Sequence, residues 1–375
     1  MLTLCSFITN KSKNSLKHVH YSVKWRKLRI LSVVFLQNIS HIGAKMKDIN
    51  LVVATVTERV IARSKETRTV YLSNLRDDFG QKPVRGELDC SNLAHGFAAC
   101  SKSDKDTLRL MDASNIAIVT AYNDMLSAHQ PYHDYPEKIK HALRQVGCTA
   151  QVAGGVPAMC DGITQGRPGM DLSLLSRDII AQGTAIALSH QMFDGVLALG
   201  ICDKIVPGLL IGILSFGYLP AIFLPSGPME SGLSNKKKRE IRQLYAEGKV
   251  DRSQLLKAES ESYHSRGTCT FYGTANSNQI LLEALGLQLP GSSFFNPDSP
   301  MRDILTVEAC QQLVRITAMG SDYRPIGIVV DEKSIVNAIV ALLASGGSTN
   351  HTMHLVVIAR AAGIIIDWND ISDLS

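Results

Sequence analysis

From Asn115 onward, short apolar runs alternate with amphipathic stretches of helical length, and this alternation constrains the fold more than any other feature. NIAIVTAY (115–122) is followed by YPEKIKHALRQVG (135–147) and TAQVAGG (149–155). LSLLSRDIIAQGTAIALSH (172–190), GVLALGI (195–201), PGLLIGILSFG (207–217) and PAIFLPS (220–226) continue the pattern. Runs of four to eight apolar residues between helical segments are βαβ syntax. Strands that are apolar throughout, rather than alternating, belong to a parallel sheet covered on both faces. The fold class read from the sequence is therefore α/β, an open and mostly parallel sheet flanked by helices.

Helical spacing over Val52–Asn74 predicts an opening amphipathic helix. The charged segment Asn235–His264 predicts two solvated helices, with Lys236–Arg239 as an exposed basic turn. Further helices are read near Asn276–Leu285, Thr306–Met319 and Ser334–Leu343, and a last strand at Gly363–Asp367.

Charge divides the 375 residues unevenly. Met1–Lys47 carries nine Lys or Arg and no acid, leaving thirty basic against thirty-four acidic residues, a net −4, for 48–375. The body therefore lacks the basic surface that a nucleic-acid partner demands. The leader has only two arginines, Arg26 and Arg29, so a mis-assigned start upstream of Met46 is preferred to a transit peptide. The division is thus a basic leader, 1–47, and one α/β domain, 48–375. Leu28–Ile39 is too short and too interrupted to span a bilayer, and no membrane association is expected.

Eight cysteines in a chain of this length are too sparse for a disulfide scaffold, and a reducing cytoplasm is the expected compartment. In an open α/β sheet, ligands gather beyond the carboxyl ends of the strands. Three such ends carry reactive groups here: NDMLSAHQPY (123–132), VPAMCDGITQG (156–166) and CDKIVPG (202–208). Cys160–Asp161 and Cys202–Asp203 each set a soft thiol beside a hard carboxylate. Thiolate suits an iron–sulfur centre and carboxylate suits Mg2+ or Mn2+, so a two-metal site is chemically consistent. Lone cysteines are also commonly buried small apolar residues, and spacing alone leaves both readings open for these and for Cys269. Compact ferredoxin spacing, HExxH, GxGxxG, GxSxG and P-loop patterns are absent from the sequence.

AYNDMLSAHQPY, QVAGGVPAMCDGITQG, SLLSRDII, MFDGVLALGICDKIVPG, PSGPMESGL, GTCTFYGTANSNQ, LPGSSF and ALLASGGSTNHTMHL together resemble the dihydroxy-acid and 6-phosphogluconate dehydratase family. The resemblance runs from about Asn50 to Ser375, and NDMLSAHQPY with GTCTFYGTANSNQ is similar to the 6-phosphogluconate branch. It implies a [4Fe–4S] cluster held by Cys202 and Cys269. In the dihydroxy-acid branch a further cysteine lies in the loop that here reads NDMLSAHQPY; Cys160 is the substitute candidate. The resemblance also implies a Mg2+ or Mn2+ site at Asp161, Asp203 and Lys204, the lysine being open to carbamylation. Family members continue into a β-rich domain supplying another carboxylate and a serine base. A chain ending at Ser375 is therefore expected to lack that domain, its catalytic base and turnover of its own.

The implied reaction is that of a hydro-lyase in Entner–Doudoroff sugar breakdown, working on a small phosphorylated sugar acid as a homodimer. Loss of the C2 proton and C3 hydroxyl of 6-phospho-D-gluconate gives an enol that tautomerises to 2-keto-3-deoxy-6-phosphogluconate. Two alternatives stand beside it: a dehydratase of dihydroxy or unphosphorylated sugar acids, and an inactive fragment.

Overall fold

The computed structural model describes residues 49–375, so the basic leader assigned to 1–47 lies outside the described residues. The chain divides into units Met1–Ala54 and Thr55–Ser375, and the second carries the sheet. Helix α1 (Leu51–Asn74) leads into α2 (Cys90–Phe97) and α3 (Lys102–Leu110). The βαβ region then follows as β1 (Asn115–Thr120), α4 (Tyr135–Arg144), β2 (Thr149–Gly155), α5 (Ser173–Leu188), β3 (Gly195–Leu199), α6 (Ile205–Leu214) and β4 (Ala221–Phe223). The four strands are all parallel, in the order β2-β1-β3-β4.

Strands β1, β3 and β4 are almost entirely buried, as their unbroken apolar sequence requires. Leu143, Ile139 and Tyr135 of α4 pack over Ile116, Ile118, Leu197 and Leu199 together with Ala309 and Leu313 of a later helix, α10 (Pro300–Ile316; α7 to α9 follow below). The other face carries α5 and α6, which meet closely. A Cβ at Gly208 would lie 2.7 Å from the Arg177 carbonyl oxygen and one at Gly212 2.6 Å from that of Ala181, so only glycine lets the two backbones approach.

The charged segment forms two helices, α7 (Asn235–Ala246) and α8 (Arg252–Ser262). They precede α9 (Thr274–Ala284) and α10, and after these come α11 (Glu332–Ala344), α12 (Asn350–Ala361) and α13 (Trp368–Leu374). Helix α10 begins six residues before its predicted start because Ser299 caps it and Pro300 fits the first turn.

The predicted strand at Gly363–Asp367 is not a strand. Gly363, at φ 74°, turns the chain out of α12, and side chains of α1 then satisfy the backbone. Thr67 donates from Oγ1 to the Gly363 carbonyl at 2.6 Å, and the Ile365 amide donates to Ser64 Oγ at 2.9 Å. Ile364 and Ile366 are buried, which gives this loop the same apolar signature as a core strand. No helix among the described residues is long and apolar enough to cross a membrane.

Candidate functional site

In the order β2-β1-β3-β4 the connection reverses between β1 and β3, so the crevice for a ligand opens at their carboxyl ends. The loop after β1 is pinned to its neighbours: Tyr132 donates to the Leu224 carbonyl at 2.7 Å, and Ser226 Oγ donates to that of Ala128 at 2.6 Å. The Gly267 amide reaches the Ser127 carbonyl at 2.7 Å, bringing the Cys269 segment onto the same rim. That segment forms a parallel bridge, Pro228 with Thr268. Gly267 makes this possible, since a Cβ there would sit 2.5 Å from the Met229 nitrogen. Cys269, Tyr272, Asn276, Met229, Phe294 and Asn296 help line an open cleft of about 440 Å3.

The three sequence-predicted cysteines come together. Burial pushes the Cys202 thiol well above the ordinary range, and the neighbouring Cys160 and Cys269, then Asp203 and Asp161, push it further. Cys269 is raised by burial and by Cys160. Cys202 and Cys269 therefore stay as neutral thiols unless positive charge compensates them, and that is the environment a metal cluster supplies to thiolates. Among the described residues no three His, Cys, Asp or Glu side chains converge on a point able to hold a single metal ion. A polynuclear cluster makes no such demand, because its cysteines bind separate irons. The donor set therefore fits an iron–sulfur group.

Asp161, Asp203 and Lys204 also meet. Lys204 Nζ bonds Asp161 Oδ2 at 2.6 Å and Asp203 Oδ2. Ser173 Oγ donates to Asp161 Oδ1 at 2.6 Å. Burial opposes ionisation of Asp203, yet hydrogen bonds from His354 and Lys204 outweigh it and hold the carboxyl far below its usual range. Burial likewise works against the Lys204 ammonium, and the two carboxylates overcome it. Two anionic groups thus converge on one cationic position, which the lysine ammonium fills.

Sequence reasoning missed the residues around this pair. Asn350 donates from Nδ2 to Asp203 Oδ2 at 3.1 Å and His354 Nε2 lies 3.2 Å from Asp203 Oδ1, both from α12, which was not predicted as a helix. The i, i+4 spacing of Asn350 and His354 was the available signal. Two further histidines are buried. His351 meets Ser277 Oγ at 2.8 Å. Nε2 of His129 lies 3.1 Å from both the amide nitrogen and the carbonyl oxygen of Ile201, directly before Cys202.

Burial pushes the His129 pKa from 6.5 down to about 4. A folded pKa below the unfolded one means that the unfolded chain binds the extra proton first. The stabilising neutral form is therefore complete above about pH 6.5 and is lost as pH falls toward 4, at a cost on the order of 3 kcal/mol. Urea midpoints measured from pH 7 to pH 4 should fall steeply, and less steeply in His129→Gln. Equal slopes would show that His129 does not carry the effect.

Residues 113–375 match the family model for the dihydroxy-acid/6-phosphogluconate dehydratase N-terminal domain. The chain belongs to that dehydratase family. It is 63% identical over 320 residues to phosphogluconate dehydratase of Escherichia coli K12, covering 85% of this chain and 53% of that protein. With the Zymomonas mobilis phosphogluconate dehydratase it shares 58% identity over 330 residues, 88% of this chain and 54% of the other. A dihydroxy-acid dehydratase of Hydrogenobaculum is 33% identical over 283 residues, 74% of this chain and 50% of its own length. The chain spans about half the length of the curated relatives it matches.

Proposed function

We propose that this chain provides the cluster- and cation-holding part of a hydro-lyase that converts 6-phospho-D-gluconate to 2-keto-3-deoxy-6-phosphogluconate and water, a step of the Entner–Doudoroff pathway. The carrying observation is the contrast in identity, 63% to a phosphogluconate dehydratase against 33% to a dihydroxy-acid dehydratase. On this reading Cys202, Cys269 and Cys160 hold a [4Fe–4S] cluster, while Asp161 and Asp203 hold Mg2+ or Mn2+. Once bound, the two groups supply a Lewis acid for the departing hydroxyl and positive charge beside the developing oxyanion.

The residues of the chain orient and tune. Asp203, held by Asn350 and His354, stays ionised at any physiological pH and so offers a permanent anion. Lys204 must leave the space between the carboxylates, or lose its charge by carbamylation, before a divalent cation can enter. The reading also takes the full-length protein as a cytoplasmic homodimer whose other cysteines are free thiols.

The test joins the chain to the carboxyl-terminal half of the Escherichia coli relative, loads it anaerobically with iron, sulfide and Mg2+, and supplies 6-phosphogluconate. Formation of a 2-keto acid, with far slower turnover of 2,3-dihydroxy-isovalerate, is expected. Preference for the dihydroxy acid would overturn the substrate assignment.

A further inference from the structure

Three described residues other than glycine have a left-handed backbone: Met111, Gln191 and Cys202. Met111 caps the end of α3 and Gln191 follows the end of α5, places where such a turn is ordinary. Cys202 sits instead at a strand end, with φ 72°. A side chain in this region costs free energy, and it persists when surrounding contacts over-determine it.

One of those contacts comes from the first turns of α9. Asn278, 3% exposed, donates from Nδ2 to the carbonyl oxygen of Cys202 at 2.8 Å. Two residues earlier, Asn276 donates from Nδ2 to the Cys269 carbonyl at 3.2 Å and to that of Phe271 at 2.6 Å. Asparagine is a poor residue for a helix interior, because it competes with the backbone for hydrogen bonds. Here each amide holds a loop carbonyl instead. A single helix start, five residues after Cys269, thus grips the backbones of two cysteines that are 67 positions apart in sequence.

We propose that Asn276 and Asn278 are positioning residues that set the spacing of the Cys202 and Cys269 thiols, Asn278 by holding Cys202 in its left-handed turn. This rests on the reading of both cysteines as cluster ligands. Both side-chain amides bond to backbone carbonyls. They act through the backbone, as groups behind a metal ligand commonly do, and such groups are commonly worth 10- to 100-fold in metal affinity.

The test loads the full chain anaerobically with ferrous iron and sulfide, then follows iron loss to a chelator and the electron paramagnetic resonance spectrum of the reduced protein. Asn278→Ala and Asn276→Ala should lose iron about 10- to 100-fold faster than wild type, with an altered spectrum. Asn278→Asp, which keeps the volume and removes the donor, should behave likewise and covers a failure of the alanine variant to fold. Arg85→Met, a destabilised control whose ion pair lies at the amino ends of β1 and β3, the opposite end from Cys202, should keep wild-type iron retention where it is folded. Wild-type retention and spectrum in the asparagine variants, or equal loss in the Arg85 control, would overturn the positioning role while leaving the cluster reading intact. A wild-type chain that takes up no iron would overturn both.

Discussion

Arg85→Met should destabilise the fold by about 3–5 kcal/mol, the loss typical of removing one partner from a buried ion pair. The side chains of Arg85 and Asp194 are 0% and 2% exposed, with NH1 and Oδ2 2.9 Å apart. Burial lowers the pKa of the arginine and raises that of the aspartate, so desolvation opposes both charges and their bonds only offset it. Asp194 also accepts from the amides of Val84 and Asn115, each at 2.8 Å, and Arg85 donates to the Ala113 carbonyl at 2.8 Å. The pair therefore fixes the start of β1 against the start of β3, the two strands that deliver the site loops. Removing only the cation leaves a buried carboxylate without its counter-charge. Asp194→Leu added to Arg85→Met should recover part of the loss, since the stranded charge is gone. Urea unfolding measures both, and an Arg85→Met chain within 1 kcal/mol of wild type would show that the pair is not needed.

How much of this was readable depends on which physical signal each element leaves. Strands β1 and β3 and helices α4 and α5 were legible because burial on both faces of the sheet, or on one face of a helix, imposes a period on the sequence. That Cys160, Cys202, Asp161 and Asp203 lie near one another was legible because strand-end loops in a parallel sheet share one rim, whereas Lys204 entered only through the family resemblance. Helices α2 and α3 were missed because they are short and bury little, with Phe97 and Leu108 their only buried large apolar residues. Gly363–Asp367 was misread because Ile364 and Ile366 are buried, and burial alone does not separate loop from strand. Asn276 and Asn278 left no periodic trace, and Asn350 and His354 left only their i, i+4 spacing. Their partners are loop carbonyls and one carboxylate, fixed only when distant segments meet.

Cys202→Ser and Cys269→Ser should each reduce bound iron and sulfide to background. Serine keeps the volume but offers a hard hydroxyl in place of a soft thiolate, and the site has few groups to replace it. Cys202 is the sharper test, because its thiol is the one raised by both other cysteines and both carboxylates. Cys160→Ser separates a third ligand from a structural thiol: a ligand loses the cluster, whereas a structural thiol keeps it at small cost. The decisive measurement is iron and sulfide content with visible absorbance after anaerobic reconstitution of the wild-type chain and Cys202→Ser. A cluster-loaded wild type beside an empty, folded Cys202→Ser is the predicted result. Full iron content and absorbance in Cys202→Ser, or none in wild type, would contradict a cluster site at this strand end.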